Sequence, residues 1–536
     1  MPQAAWWQTG IIYQIYPRSF MDRNGDGVGD LQGIIAQLDH LVWLGVNAIW
    51  LSPIFPSPMA DFGYDVSDYT AIHPLFGTLA DFDALLEAAH ARGLKLILDL
   101  VPNHTSDQHP WFQQARASRD NPKRDWYIWR DAQPDGSPPN NWAAYFGGSM
   151  WTWDAATKQY YLHSFLPEQP DLNWRNPEVK AAIFDAVRFW LDRGVDGFRV
   201  DVIDRMLKDE QFRDNPVNPD FVPGRDNLAA GGAQQRVYSE NQPGIHALIA
   251  ELRAVFDAYD DRVLIGEIAY STDPTVITTH YGGSAAPEQH LPINFALLLL
   301  PWEVEALRAF IAAYEAALPA GGWPNYVLSN HDQPRIASKL GDAEARIAAM
   351  LLLTLRGTPF VYYGDEIGMH NVPIPQDQVQ DPQGINMPGT SRDPERTPMQ
   401  WHDGPNAGFS TATPWLPIAD DYLTVNVEAE RADPHSILNL YRRLIAYRRD
   451  TPALTLGAYQ ALDSGELADT VLVYERQHEN QRVVVALNFA ADPKTISLPA
   501  GQGRIGVSTH MERSGETVAL DRLVLRPHEG LIVEVV

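Results

Sequence analysis

The stretch Lys95-Leu-Ile-Leu-Asp-Leu-Val-Pro-Asn-His104 decides the fold. Residues 95–101 read as a strand that is apolar on both faces, and a proline ends it. A strand with one solvated face alternates apolar and polar residues, whereas a strand covered on both sides belongs to a parallel sheet flanked by helices. Upstream, Thr78 and Asp81 open a helix in capping-box fashion and Gly93 stops it. Before that come a strand at Ala48–Leu51, a helix at Leu31–Leu44 with Ile34, Leu38, Leu41 and Val42 at helical spacing and Gly45 as its stop, and a strand at 11–16. Downstream, Asn176-Pro177 starts a helix that runs to Gly194, and Gly197–Val200 follows as a strand. Further strands fall at Val263–Gly266, 292–295, 326–328 and 360–363. Eight strands, mostly separated by helices, predict an α/β fold: a closed (β/α)8 TIM barrel, favoured over an open doubly wound sheet.

Two segments break the rhythm. Residues 103–174 are rich in Trp, Tyr, Pro, Asn and Gly with little helical periodicity, and read as a subdomain inserted after strand three. Residues 364–424 form a long polar loop after strand eight. Functional loops of a barrel follow its strands, so both insertions belong at the active-site mouth. A last helix is expected from Asp433 as N-cap and Pro434 to about Arg449. After it, stretches at 470–476, 482–489, 494–498 and 523–536 alternate with turns and show no helix. The expected organisation is a barrel of residues 1–102 and 175–455, an insert at 103–174, and an all-β C-terminal sandwich at 456–536.

Composition narrows the chemistry. The 536 residues contain no cysteine, which excludes disulfides, thiolate zinc sites, iron–sulfur clusters and a cysteine nucleophile. The 41 basic and 68 acidic residues give a net charge of −27, which argues against nucleic-acid partners and anionic membranes. The N-terminus has neither a basic nor an apolar leader region, and no apolar run is long enough to span a bilayer. A soluble, cytoplasmic protein, monomeric or homodimeric, is expected.

Charged residues gather just after the strands: Asp99 to His104 after strand three, Arg199-Val-Asp201 after strand four, Gly266-Glu267 after strand five, and Asn330-His331-Asp332 after strand seven. Any one could merely cap a strand. Two aspartates and a glutamate converging on one mouth repel one another, a cost that persists where the charge is used. Such a set, with Arg, His and aromatic residues, suits glycoside cleavage, which needs one ionised and one protonated carboxyl across the bond. The alternative from residue types alone is a metal-dependent hydrolase with His104, Asp201, Glu267, His331 and Asp332 as ligands. Arg199, two residues before Asp201 on the same strand face, counts against it, because a guanidinium competes with a cation.

At these residues the chain resembles the α-amylase superfamily, glycoside hydrolase family 13, in particular its oligosaccharide-acting α-glucosidases and oligo-1,6-glucosidases. The motifs are Asp99-Leu-Val-Pro-Asn-His-Thr-Ser106, Gly197-Phe-Arg-Val-Asp-Val-Ile203, Ile265-Gly-Glu-Ile268, Ser329-Asn-His-Asp332, Ile12-Tyr-Gln-Ile-Tyr-Pro-Arg-Ser-Phe20, Gln169-Pro-Asp-Leu-Asn-Trp174 and Arg396-Thr-Pro-Met-Gln-Trp401. The resemblance implies Asp201 as nucleophile, Glu267 as acid and base, and Asp332 as transition-state stabiliser. Arg199 is expected to keep Asp201 ionised, while an apolar strand and nearby carboxylates should leave Glu267 its proton. The resemblance also gives Asp61, Tyr64, His104, His331 and Arg396 as grips on the terminal glucose, with Tyr64 and Phe165 as pocket walls. Of Arg392 and Arg396, four apart, Arg396 fits the family's sugar-binding arginine.

Asp22-Arg-Asn-Gly-Asp-Gly-Val-Gly-Asp30 alternates oxygen ligands as a hard-cation loop does, but Gly33 replaces the glutamate an EF-hand needs at position twelve. The related α-glucosidases bind a structural Ca²⁺ there, which implies Asp22, Asn24, Asp26, the Val28 carbonyl and Asp30 as ligands; a plain Asx turn is the alternative. The expected activity is retaining, exo-acting hydrolysis of small α-glucosides. α-1,4 bonds are the first expectation; Val202 beside the nucleophile, which in relatives accompanies α-1,6 activity, leaves that linkage open. A glucosyl transferase or isomerase such as a trehalose synthase shares the same catalytic residues. A non-catalytic member like the transporter heavy chains fits poorly, because all three carboxylates are present.

Overall fold

A computed structural model describes residues 4–221 and 232–535; Val536, the last residue of the expected stretch at 523–536, and residues 1–3 lie outside the described residues. Eight parallel strands form one sheet: Ile12–Ile15, Ala48–Leu51, Lys95–Leu100, Gly197–Val200, Val263–Gly266, Leu291–Pro292, Asn325–Val327 and Thr358–Tyr362. Each of the first five pairs with the next, the seventh pairs with the eighth, and the last returns to the first through the Ile12–Phe360 register. Between the sixth and seventh strands the ring is completed by a side chain. Asn325 Nδ2 donates to the Pro292 carbonyl at 2.7 Å, and its Oδ1 accepts from Asn294 N at 2.9 Å. A carboxamide thus stands in for a peptide group where the sixth strand is too short to ladder.

The two faces of the opening strand lie in two different cores. Ile97 belongs to the barrel interior with Ile12, Ala48, Trp50, Ile265 and Phe360. Leu96, Leu98 and Leu100 belong to the shell between strands and helices. The helices end where the sequence places their caps. Asp30 accepts from Gly33 N at the start of Leu31–Leu44, and Gly45 leaves it with φ +99°. Thr78 and Asp81 cap each other's backbone, and Asn176 accepts from Glu178 N ahead of Pro177.

Three expectations are corrected. The insert carries a helix, Pro110–Ala117, beside its three-stranded antiparallel sheet of Trp129–Arg130, Trp151–Asp154 and Gln159–Leu162. His109 caps this helix, a residue type outside the usual N-cap set. The last helix of the barrel region begins at Ile437, not after Asp433: Ser436 caps it by accepting from Asn439 N, while Asp433 closes a separate helix, Val427–Ala432. The stretch 523–536 is two strands in two sheets, Leu523–Leu525 and Gly530–Val535. The second lies inside a six-stranded antiparallel sheet, and the first pairs with Lys494–Ile496 across a core that both sheets share. Among the described residues no helix is long and apolar enough to cross a membrane.

Candidate active site

The barrel delivers its carboxylates through backbone bonds. Asp201 N donates to the Leu100 carbonyl at 2.8 Å and Glu267 N to that of Val200 at 2.9 Å, so both residues continue the sheet one step past their strands. Between them Val202 holds φ +38°, a left-handed conformation costly for a β-branched side chain, of order 1–3 kcal/mol. In this turn the Val202 N–H donates to Glu267 Oε2 at 3.2 Å. Gly266 before Glu267 has no room for a side chain: a Cβ there would lie 2.1 Å from the Gln289 amide.

Arg199 lies two residues before Asp201, on the same inward face. Arg199, expected to keep Asp201 ionised, does bond it but not it alone. Its Nη1 donates to Asp201 Oδ1 at 2.9 Å and to Asp99 at 2.8 Å, and its Nη2 donates to Glu267 Oε2 at 2.5 Å. One buried cation therefore serves three buried carboxylates. Burial raises Asp99 to about 7 despite Arg199. Burial likewise pushes the Asp201 carboxyl well above the usual carboxylate range, assisted by adjoining Glu267 and Asp99 and opposed by Arg199. Asp201 and Glu267 are brought together by accepting from the two Nη atoms of the same guanidinium.

Asp332 is the opposite case. Burial alone would raise it, but His331 at 3.3 Å, Arg392 at 3.0 Å and Arg396 at 2.9 Å hold it far below the ordinary range. Asp332 thus stays ionised throughout the working pH range. Burial pushes His331 down to about 3 and His104 down to about 4, so both imidazoles are neutral. Gln14 donates to His331 Nδ1 at 2.7 Å, which leaves the proton on Nε2, 2.5 Å from Tyr64 Oη. Tyr64 stacks flat on His331 at a centroid distance of 5.4 Å. His104 Nε2 faces the Tyr64 carbonyl at 3.1 Å, and its ring sits 5.2 Å from that of Phe165.

Asp61, Tyr64, His104, Phe165, Asp201, Glu267 and Asp332 line a single cavity of about 300 Å³, a size for a small ligand. Arg199, His331 and Arg396 do not line it. Arg199 and His331 support the lining groups from behind. Arg396, chosen from its motif as the sugar-binding arginine, is buried with Nε on the His331 carbonyl at 2.6 Å. Arg392 takes the place on the cavity wall. Its guanidinium joins Asp61 at 2.8 Å, Asp332 at 3.0 Å and Asp381 at 2.6 Å. Both arginines sit in an irregular loop, and a spacing of four gives no facing information outside a helix.

Sequence reading gave no role to Asp99, Gln169, Tyr145, Arg205 and Glu395. Gln169 donates to Asp61 Oδ2 at 3.2 Å and faces His104 Nε2 at 3.1 Å, binding the insert to the barrel at the site. An acid on the inward face of an apolar strand was a usable signal for Asp99. The others sit in loops with no periodicity to mark them.

In the cation-like loop, Asp22 accepts from Gly25 N and Gly27 N, and Asp30 accepts from Arg23 N, Asn24 N and Gly33 N. Asp26 accepts from Val28 N. Among the described residues nothing donates to the Val28 carbonyl. The donor set is all oxygen, the chemistry a hard cation takes, although the carboxylates found close enough together for an ion among the described residues are those of Asp403 and Glu428 with His402.

A parallel eight-stranded barrel with carboxyls gathered at its strand ends suits glycoside cleavage, and comparison with known proteins shows the class. Residues 14–457 match the family model described as "Alpha amylase, catalytic domain", and residues 459–532 match that of the maltogenic amylase C-terminal domain. The chain belongs to the α-amylase family, glycoside hydrolase family 13. It is 44% identical to a probable α-glucosidase of Rhizobium meliloti, over 93% of this chain and 92% of that protein. It is 40% identical to an oligo-1,6-glucosidase of Parageobacillus thermoglucosidasius, over 93% of this chain and 92% of that protein. Among solved structures, an α-glucosyl transfer enzyme superposes with a TM-score of 0.92 at 42% identity, covering 100% of both chains.

Proposed function

We propose that the protein is a retaining, exo-acting α-glucosidase that removes the non-reducing glucose from short α-glucosides, α-1,4 bonds and also α-1,6. The observation that carries this reading is the Asp61–Arg392–Asp332 bridge, a buried ion-paired wall at the glycone end of the cavity. A chain that cannot continue past that wall can offer only its terminal residue. In this reading Asp201 attacks the anomeric carbon while Glu267 gives its proton to the departing oxygen. Glu267 then takes a proton from water, whose oxygen displaces Asp201, and the α-anomer is released. Asp332, ionised, accepts from the sugar hydroxyls as the ring flattens.

Maltose, isomaltose and soluble starch, compared with the product anomer read by NMR, test it. Rapid release of α-glucose from the disaccharides and slow attack on starch are expected. Internal cleavage of starch as fast as maltose would refute the blind pocket. The similarity to an α-glucosyl transfer enzyme supports a second reading, in which a sugar replaces water as acceptor. Transfer products exceeding free glucose at high substrate would favour it. The loop at Asp22, Asn24, Asp26, Val28 and Asp30 is proposed to hold a structural Ca²⁺ away from the reacting atoms.

A further inference from the structure

Arg205 is an anomaly in the cavity wall. It sits four residues after Asp201, is 7% exposed, and lines the cavity. Among the described residues its Nη groups make no hydrogen bond, and its enclosed Nε has only an ion pair with Glu240 at 3.2 Å that lacks hydrogen-bond geometry. Every other arginine at this site is heavily bonded: Arg199 to three carboxylates, Arg392 to three, Arg396 to a carbonyl and Asp332. A guanidinium carries five donors in a fixed fork, and the two Nη groups of Arg205, unlike its Nε, are not sealed away in the protein. Such a group persists where a ligand brings the acceptors.

The cage around Arg205 fixes its plane and its charge. Its Cζ lies 4.1 Å from the centroid of Tyr145 and 5.8 Å from that of Phe165. Tyr145 is held by its hydroxyl, which donates to Glu240 at 2.5 Å, and by Arg236, 3.8 Å from its ring. Glu240 stands 3.2 Å from Arg205 Nε and Asp204 3.9 Å away. These two carboxylates offset the positive charge, so the open donors suit neutral hydroxyls better than an anion.

Position indicates which sugar Arg205 meets. The groups on the Asp61 side are engaged with one another. Asp204, beside Arg205, accepts at 2.7 Å from the N–H of Ala269, two residues past Glu267. Arg205 therefore belongs to the general acid's side of the cavity, where the departing group stands. We infer that Arg205 is a specificity-determining residue that hydrogen-bonds the hydroxyls of the leaving or accepting sugar, and that this sugar is neutral. This rests on the α-glucosidase reading above, with Glu267 as the acid.

The test compares Arg205→Met with wild type on maltose and on p-nitrophenyl α-glucoside, whose leaving group carries no sugar hydroxyls. The ratio of kcat/KM for maltose to that for the aryl glucoside is expected to fall about tenfold or more. The share of transfer products at high maltose should fall with it. An unchanged ratio, with both substrates affected equally or not at all, overturns the assignment. So does a wild-type enzyme that prefers trehalose 6-phosphate to every neutral disaccharide. Should Arg205→Met fail to fold, Glu240→Gln, which loosens the cage, is judged by the same ratio. A wild-type protein that cleaves neither substrate refutes the α-glucosidase reading itself, an outcome distinct from an unchanged ratio.

Discussion

A single guanidinium holds three carboxyls in place and leaves them short of charge balance. Arg199 meets Asp99, Asp201 and Glu267. With three acids to one base, burial pushes the Asp99 and Asp201 carboxyls above the usual carboxylate range even beside the guanidinium. Asp201→Asn preserves the shape and the bond from Arg199 but removes the attacking charge. Turnover of maltose is expected to drop by about 10⁴-fold or more while the melting temperature holds. Near-normal turnover in a folded variant would remove Asp201 from its role. The residue scale also shows where spacing stops informing. Asp201 and Glu267 were legible because strand ends converge by construction. Arg392 and Arg396 were not, because an irregular loop sets no rule for which side chain faces inward.

The element that links local sequence to function most directly is the loop before the first barrel helix. Asp30 caps that helix through Gly33 N and gathers the loop through Arg23 N and Asn24 N, so one carboxylate joins loop and helix. Asp22, buried, also accepts from Ser410 Oγ at 2.5 Å and so ties the loop to the segment after strand eight. A bound Ca²⁺ would stabilise this junction by linkage. EGTA is expected to lower the melting temperature by about 2–4 °C, with calcium restoring it. Asp22→Ala should melt lower and respond to neither reagent. Identical melting of the native protein with EGTA and with calcium would rule out an ion in this loop. Elsewhere at this scale caps were legible wherever Ser, Thr, Asp or Asn preceded an apolar period. Competition decided the helix that begins at Ile437. Asp433 and Ser436 both qualify as caps, and tertiary contacts chose Ser436.

The whole molecule buries many titratable groups, and their sum sets its pH response. Burial raises Asp61 and Asp204 to about 6, Asp99 and Asp365 to about 7, and Glu395 and Glu430 to about 8. Each binds more protons folded than unfolded between its ordinary value and these values, so its stabilisation is complete at low pH and is lost as pH rises through them. Burial lowers His104 and His109 to about 4 and His290 and His331 to about 3. Unfolding lets these imidazoles take up protons below about pH 6.5, so they oppose the carboxyls there and fall silent above it. Stability is therefore expected to decline from about pH 6.5 to about pH 8, read by thermal melting across that window. Rising stability over the same range would contradict the buried-acid account.

The sequence by itself determined the barrel, its eight strands, the interruptions at its mouth, the β-rich C-terminal part and the three carboxylates. Those features rest on short-range rules: periodicity, caps, and strand ends that must meet when a parallel sheet closes. Only the tertiary structure decided that Asn325 joins the sixth and seventh strands, that Arg199 is shared, that Arg392 rather than Arg396 walls the cavity, and that Arg205 lines it with no hydrogen bond from its Nη groups among the described residues. Each of those depends on which distant side chain fills the space opposite, a fact fixed by three-dimensional packing and absent from any local pattern.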